Sequence, residues 1–172
     1  LLVASRMGSD RIRLDMELVD LRAVVDASAE TMRPALADKG VDLSISWKGP
    51  VGPVRGDATR LQQVLCNLLT NALKFTPPGG SIAVTLSSAR GWAVVSVKDT
   101  GEGIAPQFLP HVFDRFSQDP SAARVHGGLG LGLAIAHHLV QLHSGEIAAD
   151  SEGEGRGATF TVRLPLADAV RA

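Results

Sequence analysis

The chain has 172 residues, of which 45% are hydrophobic, so it can form one domain with a full core but hardly two. Its 17 basic and 18 acidic side chains give a formal net charge of -1 without a basic stripe, which argues against nucleic acid as a partner. No apolar run of about 18 residues and no signal peptide is evident, so we expect a cytoplasmic domain, whose parent protein could still be membrane-anchored. The single cysteine, Cys66, lies in an apolar helical stretch and is expected to be a reduced, buried thiol.

The first part of the chain predicts the end of a helix, a polar break, a new helix and two strands. Residues 1–7 have the pattern of a severed helix end. Apolar residues then recur at helical spacing from Asp20 to a glycine stop at Gly40. Residues 41–47 alternate between apolar and polar as in a half-buried strand, and a turn precedes a short strand at Val54.

The next predicted helix, over residues 58–76 with Asp57 as its cap, carries a distinctive polar face. Asn67, Asn71 and Lys74 follow one another at i, i+4 and i+7, so two carboxamides and one ammonium share that face. An amide oxygen can join phosphate oxygens around Mg²⁺, and a lysine ammonium can meet a phosphate. The helix therefore predicts a platform for a metal and a phosphate.

Two glycine clusters follow, separated by a long loop. Strands are predicted at 81–88 and 92–99, and the second of them runs into the cluster DTGEGI at 99–104. The loop contains three prolines and a short apolar helix around 108–116, which is typical of a mobile lid. The cluster GGLGLGL at 127–133 then opens a helix, and such bare amides at a helix N-terminus favour phosphate.

The end of the chain predicts two more strands and completes the fold class. The strands cover residues 146–149 and 159–164, and the last six residues form a tail. The order of elements predicts helices packed on one face of a mixed, mostly antiparallel sheet. We therefore expect a two-layer α/β sandwich.

Five ordered motifs between Leu61 and Pro165 resemble the ATP-binding catalytic domain of bacterial sensor histidine kinases, within the Bergerat-fold ATPases and kinases. They are NLLTNALKFTPPGG as the asparagine box, DTGEGI as the first glycine box, FDRFSQ as the phenylalanine box, GGLGLGLAI as the second glycine box and GEGRGATFTVRLP as the last. One glycine motif arises easily by chance, but five in this order do not. The resemblance implies a Bergerat-type fold with three parts: residues 1–16 as the end of the dimerisation and phosphoacceptor helix with its linker, residues 17–166 as the catalytic domain with an ATP lid at about 104–127, and residues 167–172 as a tail.

The resemblance implies catalytic roles on the asparagine helix. Asn71 would coordinate Mg²⁺, Lys74 would reach the phosphates of ATP, and Asn67 would lie beside the transferring γ-phosphate. In ATP-hydrolysing relatives of the fold, a glutamate occupies the position of Asn67 and activates water. Direct hydrolysis by this chain is therefore expected to be slow.

The first glycine box would bind adenine. Asp99 would accept a hydrogen bond from the exocyclic amine and so favour ATP over GTP. Gly101 and Gly103 would let the backbone pass close to the base, with Ile104 beside them. Thr159 is expected to join the same network.

The second glycine box would bind the triphosphate. Gly128, Gly130 and Gly132 precede or open the last helix, with Leu131 among them. Their backbone amides would face phosphate oxygens. A Rossmann dinucleotide site is disfavoured because the cluster comes late in the chain rather than after a first strand.

The lid would add contacts when it closes. Arg124 would meet a phosphate there, with a solvated surface charge as the open alternative. Gln118 occupies a position at which some relatives carry arginine. Phe113 and Phe116 are expected to hinge and pack the lid.

The acceptor of the phosphoryl group is expected outside this sequence. None of the five histidines, at positions 111, 126, 137, 138 and 143, has the helical His-Glu or His-Asp signature of the acceptor, and each is expected at the surface or in helix packing. The acceptor would lie upstream of Leu1 in a homodimeric parent, which passes the phosphoryl group to an aspartate of a response-regulator receiver domain. Alone, this chain is expected to be a monomer.

Three other functions remain open at this point. The domain could be a regulatory module that binds nucleotide without transferring phosphate. It could be an ATP-driven clamp of the same fold, although Asn67 in place of glutamate disfavours this. It could also be a serine kinase of the anti-sigma type, which shares the fold.

Overall fold

The computed structural model describes residues 12–117 and 130–168. Two short strands, three helices and a five-stranded sheet make up this part of the chain. In order, the elements are β1 (Glu17–Val19), α1 (Leu21–Lys39), β2 (Asp42–Lys48), β3 (Val54–Gly56), α2 (Ala58–Phe75), β4 (Ser81–Ala89), β5 (Trp92–Asp99), a short 3₁₀ helix (Leu109–His111), α3 (Gly132–Leu142), β6 (Glu146–Asp150) and β7 (Ala158–Pro165).

The main sheet has the strand order β2-β4-β5-β7-β6. The β2–β4 pair is parallel, and the other three pairs are antiparallel. A separate antiparallel pair, β1 with β3, lies at the start of the domain. The prediction of a mixed, mostly antiparallel sheet is confirmed.

The helices cover one face of the sheet, and the core lies between the two layers. Along β5, Val95 and Val97 are buried, whereas Ser96 between them is partly exposed. This alternation follows from the two-residue period of a strand, which places successive side chains on opposite faces. The apolar stripe of α2 packs into the same core. The predicted two-layer α/β sandwich is therefore confirmed.

Both long helices begin, and α1 also ends, where capping residues predict. The Asp20 carboxylate accepts a hydrogen bond from the Arg22 amide at 2.9 Å, and α1 ends at Gly40 with φ 71°. Asp57 caps α2 in the same way, accepting from the Arg60 amide at 3.1 Å. Such caps satisfy backbone groups that have no partner inside the helix.

Two local expectations differ from the structure. Cys66 is partly exposed rather than buried, since it lies at the edge of the apolar stripe of α2. The helix expected around 108–116 is reduced to the 3₁₀ turn, and Phe116 follows it in a left-handed conformation with φ 58°, which cannot continue a helix. Among the described residues, no helix is both long and apolar enough to cross a membrane.

Candidate functional site

The polar face of α2 forms one wall of the candidate site. Asn67, Asn71 and Lys74 are all partly buried on this helix. The Asn67 Nδ2 donates to the carbonyl oxygen of Gly132, the first residue of α3, at 3.0 Å. The Lys74 ammonium lies 5.2 Å from the centroid of the Phe75 ring. One hydrogen bond therefore joins the asparagine face to the second glycine cluster, at Gly132.

Asp99, at the end of β5, is the buried acidic residue of the site, with 4% of its surface exposed. Its Oδ1 accepts hydrogen bonds from the backbone amides of Gly101 at 2.9 Å and Ala158 at 3.2 Å. Burial raises the pKa of the Asp99 carboxyl, and the two amide hydrogen bonds only partly offset this effect. Within the described residues nothing donates to Oδ2, so this oxygen can accept from a ligand.

The first glycine cluster is pressed between the end of α2 and the turn that joins β6 to β7. A Cβ on Gly101 would overlap the Phe75 carbonyl oxygen, and a Cβ on Gly103 would overlap that of Gly153. Gly103 also has φ 74°, which side-chain-bearing residues rarely adopt. The Glu102 amide donates to the Phe75 carbonyl at 3.0 Å. The two glycines are therefore required by close backbone approach.

One polar side chain of this cluster, Ser151, was not predicted from the sequence. The amide of Ile104 donates to the Ser151 hydroxyl at 3.0 Å, across 47 positions of sequence. The same hydroxyl donates to the Gly157 carbonyl at 2.7 Å. The serine just before the last glycine box could have been noticed in the sequence. Its contact with Ile104 could not be inferred from local spacing, because the two residues are far apart along the chain.

The second glycine cluster is described from Gly130 onward. Gly130 has φ 66°, and its carbonyl accepts from the Phe116 amide at 3.1 Å. Leu131 is the N-cap of α3 and Gly132 is its first residue, where a side chain would enter open space. The first amides of this helix have no carbonyl partner within it. Gly128, Arg124 and Gln118 lie outside the described residues.

Thr159 is not brought to Asp99. In the β5–β7 ladder, Ala158 pairs with Asp99 and Thr159 pairs with Lys98. Neighbouring residues of a strand point to opposite faces, so Thr159 lies on the face of the sheet away from the helices. Thr159 therefore does not lie beside Asp99, contrary to the expectation that it joins the same adenine network. The neighbour of Asp99 on β7 is Ala158, whose backbone amide donates to the Asp99 carboxylate.

The two phenylalanines expected to pack the lid differ in their surroundings. Phe113 is partly buried, stacking on His137 at 5.2 Å between ring centroids and meeting the edge of Phe160 at 6.1 Å. Phe116 is 70% exposed. Phe113 thus anchors the start of the predicted lid to the core, whereas Phe116 does not pack there.

Comparison with known proteins places this site in a family. Residues 56–168 match the profile described as HATPase_c, the histidine kinase-, DNA gyrase B- and HSP90-like ATPases. The chain belongs to this family. The matched range runs from the last residue of β3 through β7, so it contains both glycine clusters and the asparagine face.

Individual relatives in this family are named as sensor proteins or histidine kinases. The sensor protein DivL of Caulobacter vibrioides is 41% identical over 159 residues, which are 91% of this chain and 20% of DivL. The solved mycobacterial sensor histidine kinase MprB is similar with a TM-score of 0.75 and 33% identity, covering 87% of this chain and 97% of that one. Full-length ShkA, solved in complex with AMPPNP, has a TM-score of 0.80 and 34% identity, covering 93% of this chain and 33% of ShkA.

The curated relatives are much longer than this HATPase_c chain. It spans 13% of hybrid signal transduction histidine kinase D of Dictyostelium discoideum, 20% of DivL and 28% of the sensor protein SrrB of Staphylococcus aureus. The chain therefore aligns with a small part of each of these relatives.

Proposed function

We propose that this chain is the ATP-binding catalytic domain of a sensor histidine kinase. It binds Mg-ATP and transfers the γ-phosphoryl group to a histidine of a dimerisation helix pair. The observation that carries the proposal is the buried Asp99, whose Oδ1 is held by two amides while Oδ2 is left for a ligand donor. Family membership and the complex of the related ShkA with AMPPNP, an ATP analogue, support the same nucleotide.

Adenine binds at Asp99 in this proposal. Oδ2 accepts the exocyclic amine, which adenine carries and guanine lacks at the same ring position. In this proposal the backbone at Gly101 and Gly103 passes close to the base, and Ile104 lies beside it. Because a buried hydrogen-bonding group without its partner is costly, the pocket selects ATP over GTP.

The phosphates bind between α2 and α3. Lys74 neutralises phosphate charge, and the first amides of α3, from Gly130 through Gly132, donate to phosphate oxygens. Asn67 is fixed to Gly132 and lies beside the γ-phosphate. Arg124 and Gly128 complete this end when the lid, about 104–127, closes over the nucleotide.

Mg²⁺ fits the donor set of this face. Asn71 offers a neutral amide oxygen one helical turn from Asn67 and on the same side, and a hard cation prefers such oxygen ligands together with phosphate and water. Bound there, the ion would neutralise triphosphate charge during transfer. The protein residues contribute positioning and the exclusion of water.

The chemical step is an in-line displacement at the γ-phosphorus. A neutral imidazole nitrogen of the acceptor histidine attacks, the bond to the oxygen bridging the β- and γ-phosphates breaks, and ADP leaves with the electron pair. The imidazole then gives up its ring proton to solvent. An aspartate of a response-regulator receiver domain takes the phosphoryl group in turn. Asn67 cannot act as a base for water, so hydrolysis stays slow.

We infer the partners with support from relatives that are named as a hybrid signal transduction histidine kinase or as sensor proteins and are several times longer than this chain. The acceptor belongs to a dimerisation helix pair, of which residues 1–16 are the last part and the linker. The parent protein works as a homodimer with its kinase domain in the cytoplasm, where ATP is available.

Phosphoryl transfer to an added helix pair tests this function. The chain is incubated with Mg-ATP labelled at the γ-phosphate and a separately produced dimerisation helix pair of a related kinase. We expect label on the acceptor that is stable in base and labile in acid, and none when the acceptor histidine is replaced by glutamine. Nucleotide binding without transfer would favour the regulatory module, and rapid hydrolysis without acceptor would favour a clamp ATPase.

A further inference from the structure

Ser151 occupies the junction between the β6–β7 turn and the first glycine cluster. Its hydroxyl oxygen accepts from the amides of Ile104 at 3.0 Å and Gly153 at 3.2 Å, and its proton is donated to the Gly157 carbonyl at 2.7 Å. A serine hydroxyl has one donor and two acceptor positions. All three are in use, and although the Gly153 carbonyl lies 3.3 Å from the same hydroxyl, the Gly157 carbonyl is the nearer acceptor for its proton.

The Ser151 hydroxyl acts on Asp99 through a single peptide group. The Gly157 carbonyl that accepts from Ser151 belongs to the same planar peptide unit as the Ala158 amide. That amide donates to Asp99 Oδ1 at 3.2 Å. Fixing the carbonyl end of the unit therefore fixes the direction of the N–H that holds the carboxylate.

Backbone contacts bind the same two segments together. The amide of Gly157 donates to the Gly101 carbonyl at 3.1 Å, and that of Gly155 donates to the Glu102 carbonyl at 2.6 Å. A Cβ on Gly157 would overlap the Asp99 carbonyl oxygen. Ser151 adds a side-chain link to this close backbone interface, between the Ile104 amide and the Gly157 carbonyl.

We propose that Ser151 is a positioning residue that sets the base selectivity of the nucleotide site. By orienting the Gly157–Ala158 peptide and the Ile104 amide, it directs the free oxygen of Asp99 toward an amino group on the purine ring. This inference rests on the proposed function, since it assumes that Asp99 faces the base. It predicts that Ser151 affects recognition of the exocyclic group far more than recognition of the phosphates.

The test compares ATP with ITP, which carries an oxygen in place of the exocyclic amine and has the same ribose and phosphates. Dissociation constants of both nucleotides are measured for wild type, Ser151→Ala and Ser151→Thr. We expect wild type to prefer ATP, Ser151→Ala to lose roughly tenfold of that preference through weaker ATP binding, and Ser151→Thr, which keeps the hydroxyl, to retain most of it.

The control is Ser46→Ala. Ser46 is also partly buried, and its hydroxyl shares one hydrogen bond of 3.2 Å with Thr85 on the face of the sheet away from the helices. Its loss should leave the ATP to ITP ratio unchanged. If Ser151→Ala does not fold, Ser151→Cys replaces it, because a thiol of similar shape is a weak donor and acceptor and should also reduce the preference.

The outcomes separate the two proposals. An ATP to ITP ratio in Ser151→Ala or Ser151→Cys equal to that of wild type overturns the role of Ser151 while leaving the nucleotide site intact. An equal loss of both nucleotides together with a lower melting temperature assigns Ser151 a structural role only and also overturns the inference. Wild-type protein that binds neither nucleotide, or binds both equally, overturns the proposed adenine site itself.

Discussion

Asp99 illustrates at the scale of one residue how a binding site can lower stability. Burial raises the pKa of its carboxyl above the ordinary value of 3.8, so the folded protein holds the proton more tightly than the unfolded chain does. The ionised form therefore costs stability once the pH rises above the folded pKa, and this cost disappears as the pH falls toward the unfolded value. A carboxylate kept there despite the cost is typical of a functional group.

Replacing Asp99 with asparagine should remove that cost. The asparagine side chain has nearly the same shape, and its amide oxygen can still accept from Gly101 and Ala158, while no charge is buried. We expect the ligand-free Asp99→Asn protein to be at least as stable as wild type at pH 7.5, with the difference shrinking near pH 4. Thermal unfolding at both pH values measures this, and a large drop in melting temperature at pH 7.5 would contradict it.

A second prediction at the scale of one residue concerns the stability of the protein when Gly101 is replaced. A Cβ there would overlap the Phe75 carbonyl oxygen and approach Asp99 Oδ1 to 2.9 Å, and a backbone atom cannot move aside as a flexible side chain can. Gly101→Ala should therefore lose about 2 kcal/mol of unfolding free energy, measured with urea. In the control Gly52→Ala, the nearest contact is an ordinary one of 3.8 Å to Leu166, and little change is expected. Equal stability of the two variants would contradict the prediction.

The roles of single residues could be predicted from the sequence where their partners lie within the same helix. Asp20 and Asp57 as caps, and the asparagine face of α2, follow from side-chain type and spacing within one helix. Thr159 was misplaced because one residue of register decides which face of a strand it occupies. The contact between Ser151 and Ile104 was missed because the two residues are 47 positions apart in the sequence.

At the scale of elements, α2 is held at both ends by other parts of the fold. At its start, Asp57 accepts from the Asp15 amide at 3.1 Å and from Arg60. The Asp57 amide in turn donates to Nε2 of the buried His143 at 3.0 Å, so Nδ1 carries the proton and donates to the Leu139 carbonyl. The end of α3 is thereby joined to the start of α2.

The cap of α2 gives a pH-dependent prediction. Burial opposes ionisation of Asp57, but backbone hydrogen bonds and the Arg60 charge outweigh it and lower the pKa of the carboxyl below 3.8. The charged cap thus contributes stability above about pH 4, which is lost as the pH falls through the folded pKa. Asp57→Asn keeps a good cap without the charge, and should cost about 1 kcal/mol at pH 7. The cost should be smaller at pH 3. Urea unfolding at the two pH values tests this, and a cost independent of pH would contradict it.

The other end of α2 is held by Lys39, the last residue of α1. Its ammonium donates to the carbonyls of Leu73 at 2.6 Å and Lys74 at 3.2 Å, so a cation meets the negative end of the helix next to the phosphate platform. Lys39→Met keeps the apolar stem and should lose about 1–2 kcal/mol of unfolding free energy. Lys48→Met, at an exposed site, is the control for urea unfolding. Equal stability of the two variants would remove Lys39 from this role.

The helices and strands could be predicted where the spacing of apolar residues and the residues that end an element indicate the same bounds. The helices α1 and α2 and the strands β4 and β5 lie within one or two residues of their predicted bounds. The helix expected around 108–116 was wrong in length because apolar residues alone do not make a helix: the 3₁₀ helix ends at His111, before the left-handed Phe116. The boundaries of the lid itself stay a prediction.

At the scale of the whole molecule, the site forms where three distant segments meet on the helix-covered side of the sheet. The end of α2, the loop after β5 and the β6–β7 turn are joined through Phe75, Glu102 and Gly155. The family resemblance could predict that these segments meet, but the hydrogen bonds that join them depend on strand register and loop geometry. The fold class was therefore readable from sequence, and the fine structure around Asp99 was not.

The measurement that tests the proposed nucleotide site most directly is a calorimetric titration of the chain with an ATP analogue, with and without Mg²⁺. We predict that wild type binds and that Mg²⁺ strengthens binding. Asp99→Asn should bind roughly 10- to 100-fold more weakly, while Asp38→Asn, which changes an exposed acid on α1, should bind like wild type. No binding by wild type, or folded Asp99→Asn protein that binds as tightly as Asp38→Asn, would contradict the assignment of this chain as an adenine nucleotide domain.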